Sequence, residues 1–464
     1  MLNNFFKHTW RNLLRNRQFT LLNLVGLSVG LTCTILIYLW ISDELNVNKL
    51  KENDSRVYQV MQSAATGNGA VPNTPGLLAN ALPQEMPEVE YAASVIPSTW
   101  FSDKGLFSFA DKHIRGGGGF VSSDYFNIFR LRFIEGNSSR LFADKYNLAI
   151  SKDLALKLFG TRENVIGKAI EWNQKDFNGS YIVSGIFEKM PANFSVKFDA
   201  VFNYALFLDK NPKLLKWTNN DPNTYLLLKK DANAEALNKK IAGFVKSKNT
   251  EAKQVLFVQR FSDTYLYNHY QNGVPAGSRI EYVKLFSIIS IFILLIACIN
   301  FMNLSTAKAL KRIKETGIKK VMGASRKSLI IQYLSESVLM AFLSLLAAML
   351  TVIFLLPVFN EITGKEIALH FGAGFFFVIT GITAITGILA GCYPALYLSG
   401  FTPASVLKGK FKNTISEVWV RKGVVVFQFT VSAILIVSML VVYQQMQLIQ
   451  TTNLGYSRDH VIYF

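Results

Sequence analysis

Glu315-Thr-Gly317-Ile-Lys-Lys-Val-Met-Gly323-Ala-Ser325 is the stretch on which the reading of this chain turns. It lies between two apolar segments, each long enough to cross about 30 Å of hydrocarbon. Its surroundings are strongly cationic: residues 307–330 carry Lys308, Lys311, Arg312, Lys314, Lys319, Lys320, Arg326 and Lys327 against Glu315. Residues 308–322 read as a basic amphipathic helix. Gly323 suits a left-handed stop, and Ser325 can cap the helix that follows. Two short helices joined by a tight turn make a rigid protrusion, able to carry force from a partner into the spans. Charge alone favours a solvated positive-inside loop.

Working outward, half of the 464 residues are hydrophobic, too many for an ordinary soluble protein, while 17% are charged, too many for a chain lying wholly in a membrane. Five segments have the length and composition of membrane spans: 19–41, 283–303, 329–357, 372–398 and 423–445. The first is too long for a secretory signal, lacks a small-residue cleavage site and follows a long polar preface. Residues 1–18, 307–330 and 399–422 together hold 17 basic residues against 2 acidic ones, which accounts for most of the net charge of +18. These segments fall on one side if the spans alternate, and the positive-inside rule makes that side cytoplasmic. Topology therefore explains the basic balance better than nucleic-acid binding does. Residues 42–282 then lie outside, nearly balanced at 29 basic and 25 acidic residues.

Residues 1–18 read as a cytoplasmic amphipathic helix, with Lys7, Arg11 and Arg15 on one face and Phe6, Trp10, Leu13 and Leu14 on another. The outer segment is mixed α/β. Strands are expected at 57–60, 148–151, 181–187 and 225–229, and a short helix at 153–159 with Gly160 as its stop. Gly116–Gly119 reads as a flexible loop, since no Lys-Ser/Thr pair or helix start follows it. The three cysteines, Cys33, Cys298 and Cys392, all fall in spans, so no disulfide framework is implied. The fold class expected is an α-helical polytopic membrane protein with a large mixed α/β extracytoplasmic domain between its first and second transmembrane helices. After the fifth span, residues 446–464 read as the start of a second outer domain. Arg458-Asp-His-Val-Ile-Tyr-Phe there echoes Arg56-Val-Tyr-Gln-Val after the first span.

The pattern E-x-G-I-x-K-x-x-G-A-S at Glu315–Ser325 resembles the loop by which permeases of the MacB/FtsX-like ABC transporter family engage their ATPase. A second stretch, Tyr393-Pro394-Ala followed by Thr402-Pro403 and Leu407-Lys408, resembles the signature that closes that family's transmembrane module. Pro394 is expected to kink its helix, and Thr402-Pro403 to cap a new one. In the outer segment, Ala149-Ile-Ser and Leu158-Phe-Gly160, with Tyr181-Ile-Val and Gly185-Ile-Phe187, resemble a MacB-type periplasmic core domain. The resemblance divides the chain into the core domain at 42–282 and an FtsX-like module at 283–398, with a coupling loop at 307–328. A cytoplasmic linker at 399–422 leads to the fifth span. It also suggests the front half of a duplicated permease, in a bacterial inner membrane with its N-terminus cytoplasmic.

The resemblance implies an ATPase contact built from Glu315, Gly317, Ile318, Lys319, Lys320, Gly323, Ala324 and Ser325, and a second cytoplasmic motif of Tyr393, Pro394, Pro403 and Lys408. It implies a separate P-loop ATPase carrying ATP and magnesium, and a second permease half or a homodimer. A periplasmic adaptor or cell-wall partner is also compatible. The sequence itself holds no G-x-x-x-x-G-K-[ST], no H-E-x-x-H and no G-x-S-x-G, so neither an enzyme nor a cofactor or metal site is expected in this chain. Within the spans Glu336 is the ionisable residue that stands out, open equally to a coupling role and to a structural hydrogen bond. Gly26-x-x-x-Gly30 and Gly387-x-x-x-Gly391 permit close helix contact, within the bundle or between chains. The expected function is mechanotransmission in export of antimicrobial compounds, peptides or lipoproteins. The alternative is a non-transporting regulator of a cell-wall hydrolase or signalling partner.

Overall fold

The structure, a computed structural model, describes all residues except 1–16, 51, 64–68, 138–139, 191–192, 272–273, 276, 402–414 and 452–464; the side chains at 271, 274–275, 308–312, 415–418, 420–421 and 450 are also outside it. The 1–18 amphipathic helix (save for Arg17 and Gln18), Pro403, Lys408 and the echo at Arg458 therefore lie outside the described residues. The chain forms two compact units, residues 41–284 and the remainder.

The unit of residues 41–284 is built on one mixed sheet of 14 strands, in the order β14-β1-β13-β4-β7-β12-β9-β11-β10-β5-β6, with β2, β3 and β8 as side branches. The strands are β1 (Val57–Ser63), β2 (Ala70–Val71), β3 (Asn73–Pro75), β4 (Val89–Ile96), β5 (Gly105–Phe109), β6 (Lys112–Gly116), β7 (Gly118–Val121), β8 (Phe133–Gly136), β9 (Asn147–Ser151), β10 (Ala169–Asn173), β11 (Gly179–Phe187), β12 (Ala200–Asn203), β13 (Asn220–Leu228) and β14 (Leu256–Arg260). All four expected strands are present as β1, β9, β11 and β13. Two pairings, β9 with β11 and β7 with β12, are parallel. The central strands β7 and β13 are almost wholly buried, as a strand covered on both faces must be.

Aromatic packing sets the core of this unit. Trp172 on β10 stacks on Phe202 of β12 with ring centroids 4.0 Å apart, and Phe107 and Tyr181 close around the pair. This packing corrects the reading of the glycine run. Gly116 ends β6 and Gly118–Gly119 open β7, all buried. A Cβ at Gly118 would lie 2.7 Å from the Trp172 ring, and one at Gly119 would lie 2.2 Å from the Phe198 ring. Gly116, Gly118 and Gly119 are strand positions packed close against aromatic rings, not a loop.

Short helices line the sheet: α2 (Leu78–Glu85), α3 (Tyr125–Phe129), α4 (Lys152–Phe159), α5 (Tyr204–Lys210), α6 (Ala234–Ile241), α7 (Phe244–Lys248) and α8 (Phe261–Thr264). Helix α4 has the ends expected of it. Ser151 Oγ accepts from Leu154 N at 3.2 Å, and Gly160 stops the helix at φ 72°.

Among the described residues five helices are long and apolar enough to cross a membrane: α1 (Arg17–Leu45), α9 (Arg279–Val321), α10 (Arg326–Thr363), α11 (Ala373–Gly400) and α12 (Ile415–Thr451). Each runs beyond the span read from hydropathy, because backbone hydrogen bonding does not stop where apolar residues do. Three boundaries change as a result. The helix of the second span continues unbroken through the basic stretch to Val321, so the protrusion is the end of a long rod and not a separate short helix. Helix α10 passes through Pro357 and ends at Gly364, which takes the left-handed φ of 64°. Residues 415–422, expected as linker, are already helical.

The glycine pairs pack inside the bundle. A Cβ at Gly30 would meet that of Ala297 at 2.5 Å, one at Gly387 would lie 2.8 Å from Val338 Cα, and one at Gly391 would lie 2.6 Å from Ser337 Cβ. The small residues let α1 approach α9, and α11 approach α10.

Candidate functional site

The site is the hairpin formed where α9 ends and α10 begins. Its turn follows from backbone chemistry. Gly323 adopts φ 95°, Ala324 N donates to the carbonyl of Lys319 at 2.9 Å, and Gly323 N donates to that of Lys320 at 3.0 Å. This pair of bonds satisfies carbonyls left open at the helix end and requires a residue without a Cβ penalty at the turn. Ser325 Oγ then accepts from Ser328 N at 3.3 Å and starts α10.

The helical period divides the motif into two faces. Ile313, Thr316 and Gly317 point inward and are buried. Thr316 Oγ1 and Tyr333 Oη share a buried 2.7 Å hydrogen bond across the hairpin. Ile313, Leu329 and Tyr333 form a small core with Ala395 and Leu398 of α11, against which Ala324 and Phe401 also pack. Lys319 Nζ reaches Gln332 Oε1 at 3.3 Å.

Lys320 was expected to meet a partner, yet it points into its own chain. Its Nζ donates to the carbonyls of Ser399 and Phe401, at 2.7 and 2.6 Å. A cation placed on the open carbonyls of a helix C-terminus is well matched to them. Partial burial, and then the charge of Arg326, lowers its pKa. The ammonium thus joins the turn motif to the end of α11, the helix that carries Tyr393 and Pro394. Pro394 is buried within that helix, and Tyr393 stacks on Tyr397 with centroids 6.0 Å apart. The hairpin motif and the described part of the second stretch, up to Phe401, therefore pack together.

The outward face holds Lys314, Glu315, Ile318, Val321 and Met322. Ile318, Val321 and Met322 are 55%, 63% and 81% exposed. Apolar side chains this open, on a helix already continuous with a span, form a surface suited to another protein. Glu336 lies further along α10 and is half-buried; it is not isolated from its surroundings. Among the described residues no three His, Cys, Asp or Glu side chains gather as metal ligands would. Thr316 and Tyr333 escaped the sequence reading. Their signal was the 3.6-residue period of Ile313, Thr316, Gly317 and Lys320, which separates the inner face from the outer one.

Two family models match the chain in tandem. The MacB-like periplasmic core domain matches residues 20–244, and the FtsX-like permease C-terminal domain matches residues 287–403. The chain belongs to the MacB/FtsX-like permeases. The second match begins within α9 and ends just past α11, so it contains the hairpin and the helix end that Lys320 holds. Over 116 residues, 25% of this chain, the permease is 31% identical to the macrolide export ATP-binding/permease protein MacB of Bdellovibrio bacteriovorus, and it spans only 17% of that relative's length. Solved structures similar to it include a domain of a protein described as a permease from Porphyromonas gingivalis, at 19% identity and TM-score 0.39, covering 45% of this chain and 91% of that one. Another is the periplasmic region of MacB from Actinobacillus actinomycetemcomitans, at 15% identity and TM-score 0.33, covering 45% of this chain and 90% of that one.

Proposed function

We propose that this permease is a transmembrane subunit that couples ATP hydrolysis by a separate P-loop ATPase to conformational work of its outer domain. One observation carries this reading: the exposed stripe of Glu315, Ile318 and Val321, continued by Met322 in the turn, lies on a helix that runs unbroken from Arg279 to Val321. A push on that stripe moves a rigid rod, because backbone hydrogen bonds continue from the hairpin into the span. The Lys320 clamp and the Thr316–Tyr333 bond pass the same push to α11 and α10. The ATPase contact is assigned to Glu315, Ile318, Gly323 and Ser325 on the outer face; Gly317, Lys319, Lys320 and Ala324 hold the hairpin in shape. Excess cation in the hairpin supports a cytoplasmic location for it and for the N-terminus, with residues 42–282 outside. The named activity of the Bdellovibrio relative favours an export substrate.

The test is affinity purification of the full chain from its native membrane in mild detergent, with mass spectrometry of what accompanies it. A stoichiometric P-loop ATPase is expected, and Glu315→Arg or Ile318→Asp should remove it without changing the elution profile of the permease. If the ATPase is absent, or is retained by both variants, this assignment is wrong. Recovery of a stable outer-domain protein partner, with no ATPase stimulation by any exported compound, would favour a regulator over a transporter.

A further inference from the structure

Within the first two spans the side chains are neutral: no Asp, Glu, Lys or Arg occurs between Phe19 and Ile41 or between Leu285 and Ala307. Three asparagines nevertheless lie on the facing helices. Asn23 of α1 is only 1% exposed, and among the described residues neither its Oδ1 nor its Nδ2 has a hydrogen-bond partner. The Oδ1 of Asn303 on α9 is likewise buried and without a partner. Asn300 approaches α1 where a side chain is missing, since a Cβ at Gly26 would lie 3.1 Å from its Nδ2. The helices run antiparallel, with Gly30 against Ala297 and Gly26 against Asn300. One more turn in that register sets Asn23 opposite Asn303.

We propose that Asn23, Asn300 and Asn303 form an intramembrane amide site that binds water between the first and second spans. A buried amide left without partners is costly, and buried polar groups are met by protein or by ordered water. The open valences decide the ligand. Asn23 presents an unmet donor and an unmet acceptor on one side chain. A cation would satisfy the oxygen and face the NH2; an anion would do the reverse. Water is both donor and acceptor, and it needs no compensating charge, which neither span segment, 19–41 or 285–307, supplies. The surroundings are otherwise apolar: Leu27, Leu31, Ile35, Ala297, Cys298 and Phe301 pack in a single cluster. The site therefore sits at the hairpin end of a contact that is zipped shut at Gly30–Ala297.

Cysteine accessibility tests this. The full chain, with Cys33, Cys298 and Cys392 replaced by alanine, is placed in phospholipid nanodiscs and treated with a small, charged methanethiosulfonate reagent that reacts from water. Asn23→Cys and Asn303→Cys are compared with Leu22→Cys, which neighbours Asn23 in the chain but is 59% exposed on the apolar outer face. Both site variants should react about ten-fold faster than Leu22→Cys or more, since thiolate reactivity follows access to water. Equal rates overturn the proposal: if all are slow, the amides bond one another in a dry contact, and if all are fast, the whole helix end is wet. Asn303 is only half-buried, so its variant keeps the test decisive if Asn23→Cys does not fold.

Discussion

Lys320 Nζ donates a 2.7 Å hydrogen bond to the carbonyl of Ser399, across 79 residues of sequence. With its second bond, to Phe401, it fastens the end of α11 to the turn between α9 and α10. Lys320→Met keeps the stem of the side chain and removes the donor, leaving two helix-end carbonyls short of a partner. The expected loss is about 1–3 kcal/mol, read as a lower unfolding temperature of the purified chain in detergent. Lys320→Arg should recover part of it. An unchanged midpoint for Lys320→Met would mean that the clamp contributes nothing.

The close approach of α1 and α9 depends on Gly30. Its notional Cβ lies 2.5 Å from Ala297 Cβ, and neither helix backbone can move aside cheaply. Gly30→Ala should destabilise the bundle by about 1–3 kcal/mol through overpacking. Ala297→Gly in the same chain should restore most of that loss. A double variant no more stable than Gly30→Ala would refute the contact, and thermal unfolding of the four members of the cycle decides it.

In the outer unit Trp172 is 1% exposed and surrounded by rings. Trp172→Ala should cost about 3–5 kcal/mol. Trp172→Phe should cost much less, because the buried Nε1 has no hydrogen-bond partner to lose among the described residues. Denaturant unfolding followed by near-ultraviolet circular dichroism separates the two. Equal losses would mean that the indole nitrogen, and not the ring packing, matters at this site.

Glu88 accepts a hydrogen bond from Lys240, and this bond, ahead of a backbone hydrogen bond, holds its pKa below the ordinary value of 4.5. A carboxylate depressed in the folded state stabilises fully above its unfolded pKa and loses that contribution as pH falls through the folded one. Stability should therefore decline below pH 4.5 in the parent. Lys240→Met should lose stability near pH 7 and decline less steeply in acid. Parallel acid unfolding curves for the two proteins would exclude the linkage.

Much of this architecture was legible in the chain. A run such as Ile288–Cys298 has no soluble fate that hides it, so the spans declare themselves by length and hydropathy. Gly323 and Ser325 declared the turn, because few residues tolerate a left-handed φ or accept from an open backbone N–H. The glycine run at 116–119 misled because a strand under aromatic rings and a loop use the same residue. The rings that decide between them, Trp172, Phe198 and Phe202, stand more than fifty positions away in sequence. The intrachain bonds of Lys320 were hidden for a related reason: a lysine counted by charge looks like surface, and its partners at Ser399 and Phe401 carry no side-chain signal.

The sequence by itself determined the number and order of the spans, the mixed α/β character of residues 42–282, the sign of the charge at the hairpin and the local chemistry of its turn. These follow from composition and short-range backbone preference, which need no knowledge of distant residues. Tertiary structure alone decided which face of the 313–321 helix is covered, that Lys320 donates to the carbonyls of Ser399 and Phe401, and that the amide of Asn23 is buried without a partner among the described residues. Such assignments depend on what lies across a helix interface, and the period of a helix names two faces without saying which one is covered.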